Sequence, residues 1–252
     1  MQFRPNRFEV LPIVVKNLLI INVLVFLAQQ IPGKQFTIRD WFALHTWQSQ
    51  LFKPWQLITH MFMHGDFWHL LFNMFALWMF GSTLENLWGA KKFIGFYIVC
   101  GLGAAACHLS VLYIENNMMI NAFEALSPQN TINIEKFITK YLPVAQSVPS
   151  DYSIASEIVE INLNQATLGA SGAVFGCLTA FAYLFPNAVF LIYGVIPLKA
   201  KFALPAYIVF ELFSAVKNSA GDNVAHIAHL GGALVGFLLV YFWNKNNRRT
   251  FY

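Results

Sequence analysis

Residues 168–185 read LGASGAVFGCLTAFAYLF, eighteen residues without a charge that open on Gly169, Ala170, Ser171 and Gly172. A helix that crosses a bilayer needs about 20 mostly apolar residues, so this run is read as a membrane span that carries a hydroxyl near its start. Working outward, five more runs fit the same template. They are Leu11–Gln29, Asp66–Leu84, Phe93–Ile114, Phe202–Val216 and Val224–Trp243, with Leu168–Phe185 fourth in order. Asp66, after Gly65, is placed to cap the second run, and Pro205 and Glu211 interrupt the short fifth one. Composition agrees. Charged residues are 11% and apolar ones 57%, against roughly a quarter and a little under half in soluble domains. The expectation is an all-α membrane protein of six transmembrane helices in a single domain.

The net charge of +4 points to no nucleic-acid partner, because the basic residues gather at the ends of the runs. Arg4, Arg7, Lys91, Lys92, Lys199, Lys201, Lys245, Arg248 and Arg249 fall on one side and mark it as cytoplasmic. Lys34, Arg39, Lys53, Lys136, Lys140 and Lys217 fall on the other, in longer loops. Both termini are therefore expected in the cytoplasm, and the acidic stretch 115–166 is expected outside as a loop insertion. Between the fourth and fifth runs, Ala188–Leu198 is too short to span and reads as an interfacial hairpin around Tyr193-Gly194. Cys100, Cys107 and Cys177 sit in apolar runs, as small hydrophobes rather than a disulfide framework. Arg4, Arg7 and Lys16 precede an apolar stretch with no small-residue cleavage site after it. A bacterial plasma membrane is the expected location.

Polar groups in a span are expensive and are functional candidates by default. With the N-terminus inside, the second, fourth and sixth runs all begin on the outer face. That brings His69 with Asn73, Ser171 and His229 to one level. Serine becomes a nucleophile when a base, usually histidine, lies beside it. Gly172 and Gly176 on one helix and Gly232 and Gly236 on the other allow the close backbone approach such a pair needs. Gly232 follows His229 by three positions on the same face, which favours His229 over His226 as the base. His69, Asn73 and the backbone N–H of Ser171 are candidate donors to an oxyanion.

Each of these residues also has a plain structural reading. Serine among small residues serves packing, and a membrane histidine is commonly hydrogen-bonded scaffolding. His60 and His64 suit a polar scaffold in the loop before the second span, and His45 and His108 a structural or solvated role. Trp68, Phe72, Trp78 and Phe175 suit lipid-facing or core aromatics. Glu85, after Gly81, reads as a brace at the inner end of its helix. It is the conjunction of three spans that favours chemistry.

Three motifs together resemble the rhomboid intramembrane serine proteases: His60-xxx-His64-xxxx-His69-xxx-Asn73, Gly169-Ala-Ser171-Gly172, and His229-xx-Gly232-xxx-Gly236. Pro54-Trp55-Gln56 is similar to the family's first-loop motif, and Gly81 with Glu85 to the end of its second helix. The resemblance implies a six-helix fold with a Ser–His dyad and no third acid. Ser171 would be the nucleophile, His229 the general base, and His69 and Asn73 oxyanion ligands. It also implies a lateral gate near the fifth helix and a capping loop around Gly221. Gln56 stands where some members carry Arg, and Phe175 where some place a Tyr that stacks on the catalytic histidine.

The expected function is cleavage of membrane-spanning or membrane-proximal segments of other membrane proteins. The partners are a substrate helix and the lipid bilayer, with no cofactor and no metal, and the site faces the extracytoplasmic side. Two other readings compete: a metal-dependent membrane hydrolase using His60, His64 and His69, and an inactive rhomboid-like protein that binds clients without cutting.

Overall fold

The computed structural model describes residues 8–33, 35–142, 149, 151–192, 196–216 and 223–247. The expectations for the Gly221 loop, the Tyr193-Gly194 tip, and Arg4, Arg7, Lys34, Lys217, Arg248 and Arg249 lie outside the described residues.

The chain begins with α1 (Ile13–Gln29) and α2 (Gln35–Phe42), then α3 (Gln56–Thr59), which tightens into a single 3₁₀ turn, His60–Phe62. Helix α4 (Phe67–Ala76) starts where Asp66 accepts the His69 N–H at 2.9 Å, the cap read from sequence. A π turn, Leu77–Gly81, leads into α5 (Ser82–Trp88). The chain reverses at Gly89, whose φ of 81° suits glycine. Helix α6 (Ala90–Glu124) then runs well past Ile114.

Its added turns pack against α7 (Thr131–Tyr141) and α8 (Tyr152–Leu163) around Met119, Ile134, Phe137, Ile138, Ala155 and Ile158. The segment read as an acidic loop is thus largely helical with a small core of its own. Apolar residues spaced at i, i+3 and i+4 in α7 made that face available for burial. The remaining elements are α9 (Ser171–Leu184), the antiparallel strands β1 (Val189–Ile192) and β2 (Ile196–Lys199), α10 (Ala200–Val216) and α11 (Asn223–Asn247). Val189 pairs with Lys199 and Ile192 with Ile196, so the hairpin expected after the fourth run is present.

Among the described residues, Phe67–Trp88, Ala90–Glu124 and His226–Lys245 are long and apolar enough to cross a membrane, and Ile13–Gln29 and Ser171–Leu184 are shorter apolar helices. Large side chains such as Leu24, Phe72, Val209, Phe213, Leu234 and Phe242 face outward. Such a surface requires lipid around it. Cys100, Cys107 and Cys177 are free thiols, two of them buried.

Helix α9 is the buried centre, wedged between α6 and α11 with almost no room. A Cβ on Gly172 would overlap Ala104, and one on Gly176 would lie 2.5 Å from Cys100 Sγ. One on Gly232 would overlap the Gly172 carbonyl, and one on Gly236 would sit 2.7 Å from Gly176 Cα. The small-residue pairs of the two helices therefore meet backbone to backbone, as their spacing predicts.

Two buried polar side chains tie the periphery to this centre. Glu85, 4% exposed, accepts the Val14 and Val15 N–H groups at 2.9 and 2.8 Å. It is the brace expected from sequence, and its partner is the positive N-terminus of α1. Gln56 accepts the His45 and Lys53 N–H groups and donates to the Asp40 and Leu51 carbonyls. An uncharged amide fits here because the loop offers both donors and acceptors.

Replacing Glu85 by Ala removes two charge-assisted bonds and leaves two amides unpaired. The expected loss is about 3 kcal/mol, with a smaller loss for Glu85→Gln. Thermal unfolding in detergent measures it, and an unshifted midpoint for Glu85→Ala would refute the brace.

Candidate active site

Ser171 is the first residue of α9, a helix that starts three positions later than the sequence reading places it. The residues before it cannot extend the helix: Gly169 has φ +133°, a backbone state that side chains rarely adopt, and its N–H donates to the His60 carbonyl at 2.9 Å. The hydroxyl consequently stands at a helix N-terminus, where unpaired N–H groups and the helix dipole favour negative charge.

Ser171, His229, His69 and His60 line one cavity of about 120 Å³, large enough for several waters. A Cβ on Gly169 would lie 3.0 Å from His69 Nε2 and 3.5 Å from Ser171 Oγ, so imidazole and hydroxyl flank the same backbone position. His229 stacks face to face on Phe175, with ring centroids 4.3 Å apart and planes 5° apart. The ring packing expected of Phe175 is therefore present. Tyr207 stacks on its other face at 5.2 Å. His229 lines the cavity and His226 does not.

Asn73 is buried and donates Nδ2–H to the His69 carbonyl at 2.9 Å, within its own helix. It is not among the cavity-lining residues, unlike the other candidates. His108 is buried and its Nε2 lies 2.6 Å from Thr167 Oγ1, a structural tie across the cavity wall.

His60 Nδ1 lies 2.8 Å from the Gln56 carbonyl, which spends its ring on holding the loop. His64 is 1% exposed, meets His69 edge to face at 5.1 Å, and its ring nitrogens have no protein partner among the described residues. Among the described residues, His60, His64 and His69 form no cluster whose donor atoms converge on a cation. The metal-hydrolase reading built on those three therefore fails on geometry.

A different group does converge: Glu211, His226 and His229. Glu211 Oε2 lies 2.6 Å from His226 Nδ1 and 3.2 Å from His229 Nδ1. The shorter distance is that of a shared proton. Donors around a tetrahedral zinc ion stand roughly 3.3 Å apart. The site thus contains an acid that the dyad expectation omits. Its signal was legible as a carboxylate in the middle of a spanning helix, where each ionisable group asks for a partner.

The helical membrane bundle and this cavity between its tightest helices define the class: a multi-pass membrane protein with a serine and histidines at a helix start. The chain belongs to the rhomboid family, since the Rhomboid domain model matches residues 51–246. It is 29% identical over 233 residues to Rhomboid protein 1, mitochondrial, of Saccharomyces cerevisiae, covering 90% of this chain and 52% of that one. Similarity to the Presenilin-associated rhomboid-like protein, mitochondrial, of Mus musculus is 24%, covering 92% and 48%. A stretch of 80 residues is 35% identical to Rhomboid protease GlpG of Salmonella choleraesuis, covering 32% and 29%. The chain spans about half the length of the mitochondrial relatives it matches.

Burial holds the His60 imidazole far below its ordinary range, at about 4. Burial, then the nearby His69, does the same for His64, also to about 4. Between pH 6.5 and 4 the unfolded chain binds protons that these two rings refuse, so stability falls on acidification through that window. The slope is up to about 1.4 kcal/mol per pH unit for each ring. Thermal midpoints in detergent between pH 7.5 and 4 test this. A flat profile would contradict it.

Proposed function

We propose that the chain is an intramembrane serine endopeptidase in which Ser171 is the nucleophile and His229 its general base. One observation carries this reading: Ser171 and His229, on separate helices pressed to glycine contact, line one cavity with room for several waters at the start of α9.

His229 Nε2 takes the Ser171 proton as Oγ attacks a peptide carbonyl. The C–N bond breaks when the same nitrogen returns the proton to the leaving amine. Water then enters the cavity and repeats the sequence on the acyl-enzyme. Negative charge on the carbonyl oxygen is met by the Ser171 N–H, by the His69 ring and by Asn73, whose second amide hydrogen is not the one used on the His69 carbonyl.

The substrate class is a helix of another membrane protein, reaching the site from the lipid beside α10. That helix carries an apolar outer face that includes Phe202, Val209, Phe210 and Phe213. Six crossings, with both termini cytoplasmic, accord with the basic side chains at one end, where Lys92 lies 4.1 Å from the Trp243 ring. Trp41, Trp47, Trp55 and Trp68 are exposed at the end that holds the Ser171 cavity and form an interfacial belt there. The site would face the extracytoplasmic side. The expectation of a bacterial plasma membrane finds no support in the yeast and mouse relatives, both named as mitochondrial proteins. Retention of both Ser171 and His229 favours an active enzyme over a client-binding protein that does not cut.

Cleavage of single-span model substrates by the full chain in detergent or liposomes tests the reading. Ser171→Ala and His229→Ala are expected to lose at least about 1000-fold in rate while melting like the wild type. Undiminished cleavage by Ser171→Ala would reject it.

A further inference from the structure

The carboxylate of Glu211 lies where nothing in the dyad reading requires one. It is 2% exposed, sits on α10, and presents one oxygen, Oε2, to the Nδ1 atoms of both His229 and His226 on α11. On its own helix, Tyr207 stands one turn earlier on the same face. Tyr207 also closes a stack in which its ring covers Phe175 and Phe175 covers His229. Glu211, bonded to His229 and one turn from Tyr207, thus stands beside a three-ring column that runs from α10 through α9 to α11.

We propose that Glu211 is the positioning acid of this active site, completing a Ser171–His229–Glu211 relay across three helices. This inference rests on the assignment of Ser171 and His229. An imidazole that gives Nδ1–H to a carboxylate keeps Nε2 as its acceptor, the state a general base needs. Stacking on Phe175 fixes the plane of the His229 ring but leaves it free to flip within that plane. The bond to Glu211 removes that freedom. During attack, the Ser171 Oγ–H bond breaks, Oγ bonds to the carbonyl carbon, and the proton moves to His229 Nε2. The imidazolium so formed stands 3.2 Å from a carboxylate that is already present and keeps its own charge. The proton returns through the same nitrogen to the amine, and Glu211 gains and loses nothing.

His226 gives the carboxylate its second donor. Without partners, a carboxylate at 2% exposure would be costly to hold in this environment. The 2.6 Å contact to His226 anchors Glu211, and the longer one to His229 leaves that ring able to respond during the reaction.

The test is steady-state cleavage of a single-span substrate by full-length Glu211→Gln and Glu211→Asp in detergent. Rates are normalised to active sites titrated with a fluorophosphonate, so that misfolded protein does not enter kcat. Glu211→Gln is expected to lower kcat per titrated site by about 100-fold or more, with KM within about twofold of wild type. Glu211→Asp keeps the charge but draws it back by one methylene, and should fall between wild type and Glu211→Gln. A structural role alone would lower the titrated fraction and leave kcat per site unchanged. Either variant cleaving at the wild-type kcat overturns the proposal. If Ser171→Ala also cleaves normally, it is the underlying serine assignment that fails. If Ser171→Ala is dead while both Glu211 variants run at full kcat, only the role of Glu211 falls.

Discussion

Contact between the backbones of α9 and α11 is the constraint on which the site depends. Gly172 faces Gly232 and Gly176 faces Gly236 so closely that a methyl group at Gly232 or Gly236 would overlap the opposing main chain. In lipid there is little hydrophobic drive to bring helices together, and close packing of small residues takes its place. Once those helices touch, the start of α9 and the second turn of α11 are held at one level. The cavity between Ser171 and His229 is a consequence of that registration.

The rest of the molecule answers a second demand, that polar groups in apolar surroundings find partners inside the protein. Glu85 satisfies the free amides that open α1. Gln56 stitches the loop before α3 to its own backbone. Asp66 caps α4, and His60 receives the strained Gly169 amide on its carbonyl while its ring meets Gln56. The bonds at His69, His60 and Gly169 hold residues that line the cavity. The cluster of Glu211, His226 and His229 follows the same rule, with the difference that one of its members, His229, lines the Ser171 cavity.

Much of this was legible in the sequence, because the signals are local or periodic. Long apolar runs gave the helices, Asp66 gave a cap, and pairs of glycines four residues apart marked the faces that meet. Ser171 and His229 stood out as polar residues near the openings of two such runs. Other features depend on tertiary contacts that no window reveals. The segment 115–166 read as a loop because its acidic residues masked the short apolar stripe of α7. The partner of Glu85 was unreadable because it is a main-chain terminus seventy residues away in sequence. Glu211 was visible as an interruption of the fifth run, but its bond to His229 follows from how α10 leans on α11. Asn73, aligned with His69 by helical spacing, donates to its own helix, a choice that spacing alone does not decide.

The proposed function rests on one pair of atoms, Ser171 Oγ and His229 Nε2. The most direct measurement is an experimental structure of the full chain after reaction with a serine-directed fluorophosphonate. The account predicts phosphorus bonded to Ser171 Oγ, His229 Nε2 within about 3 Å of that oxygen, and His229 Nδ1 still on Glu211. A covalent adduct on another residue, or a His229 ring turned away from a modified Ser171, would contradict it.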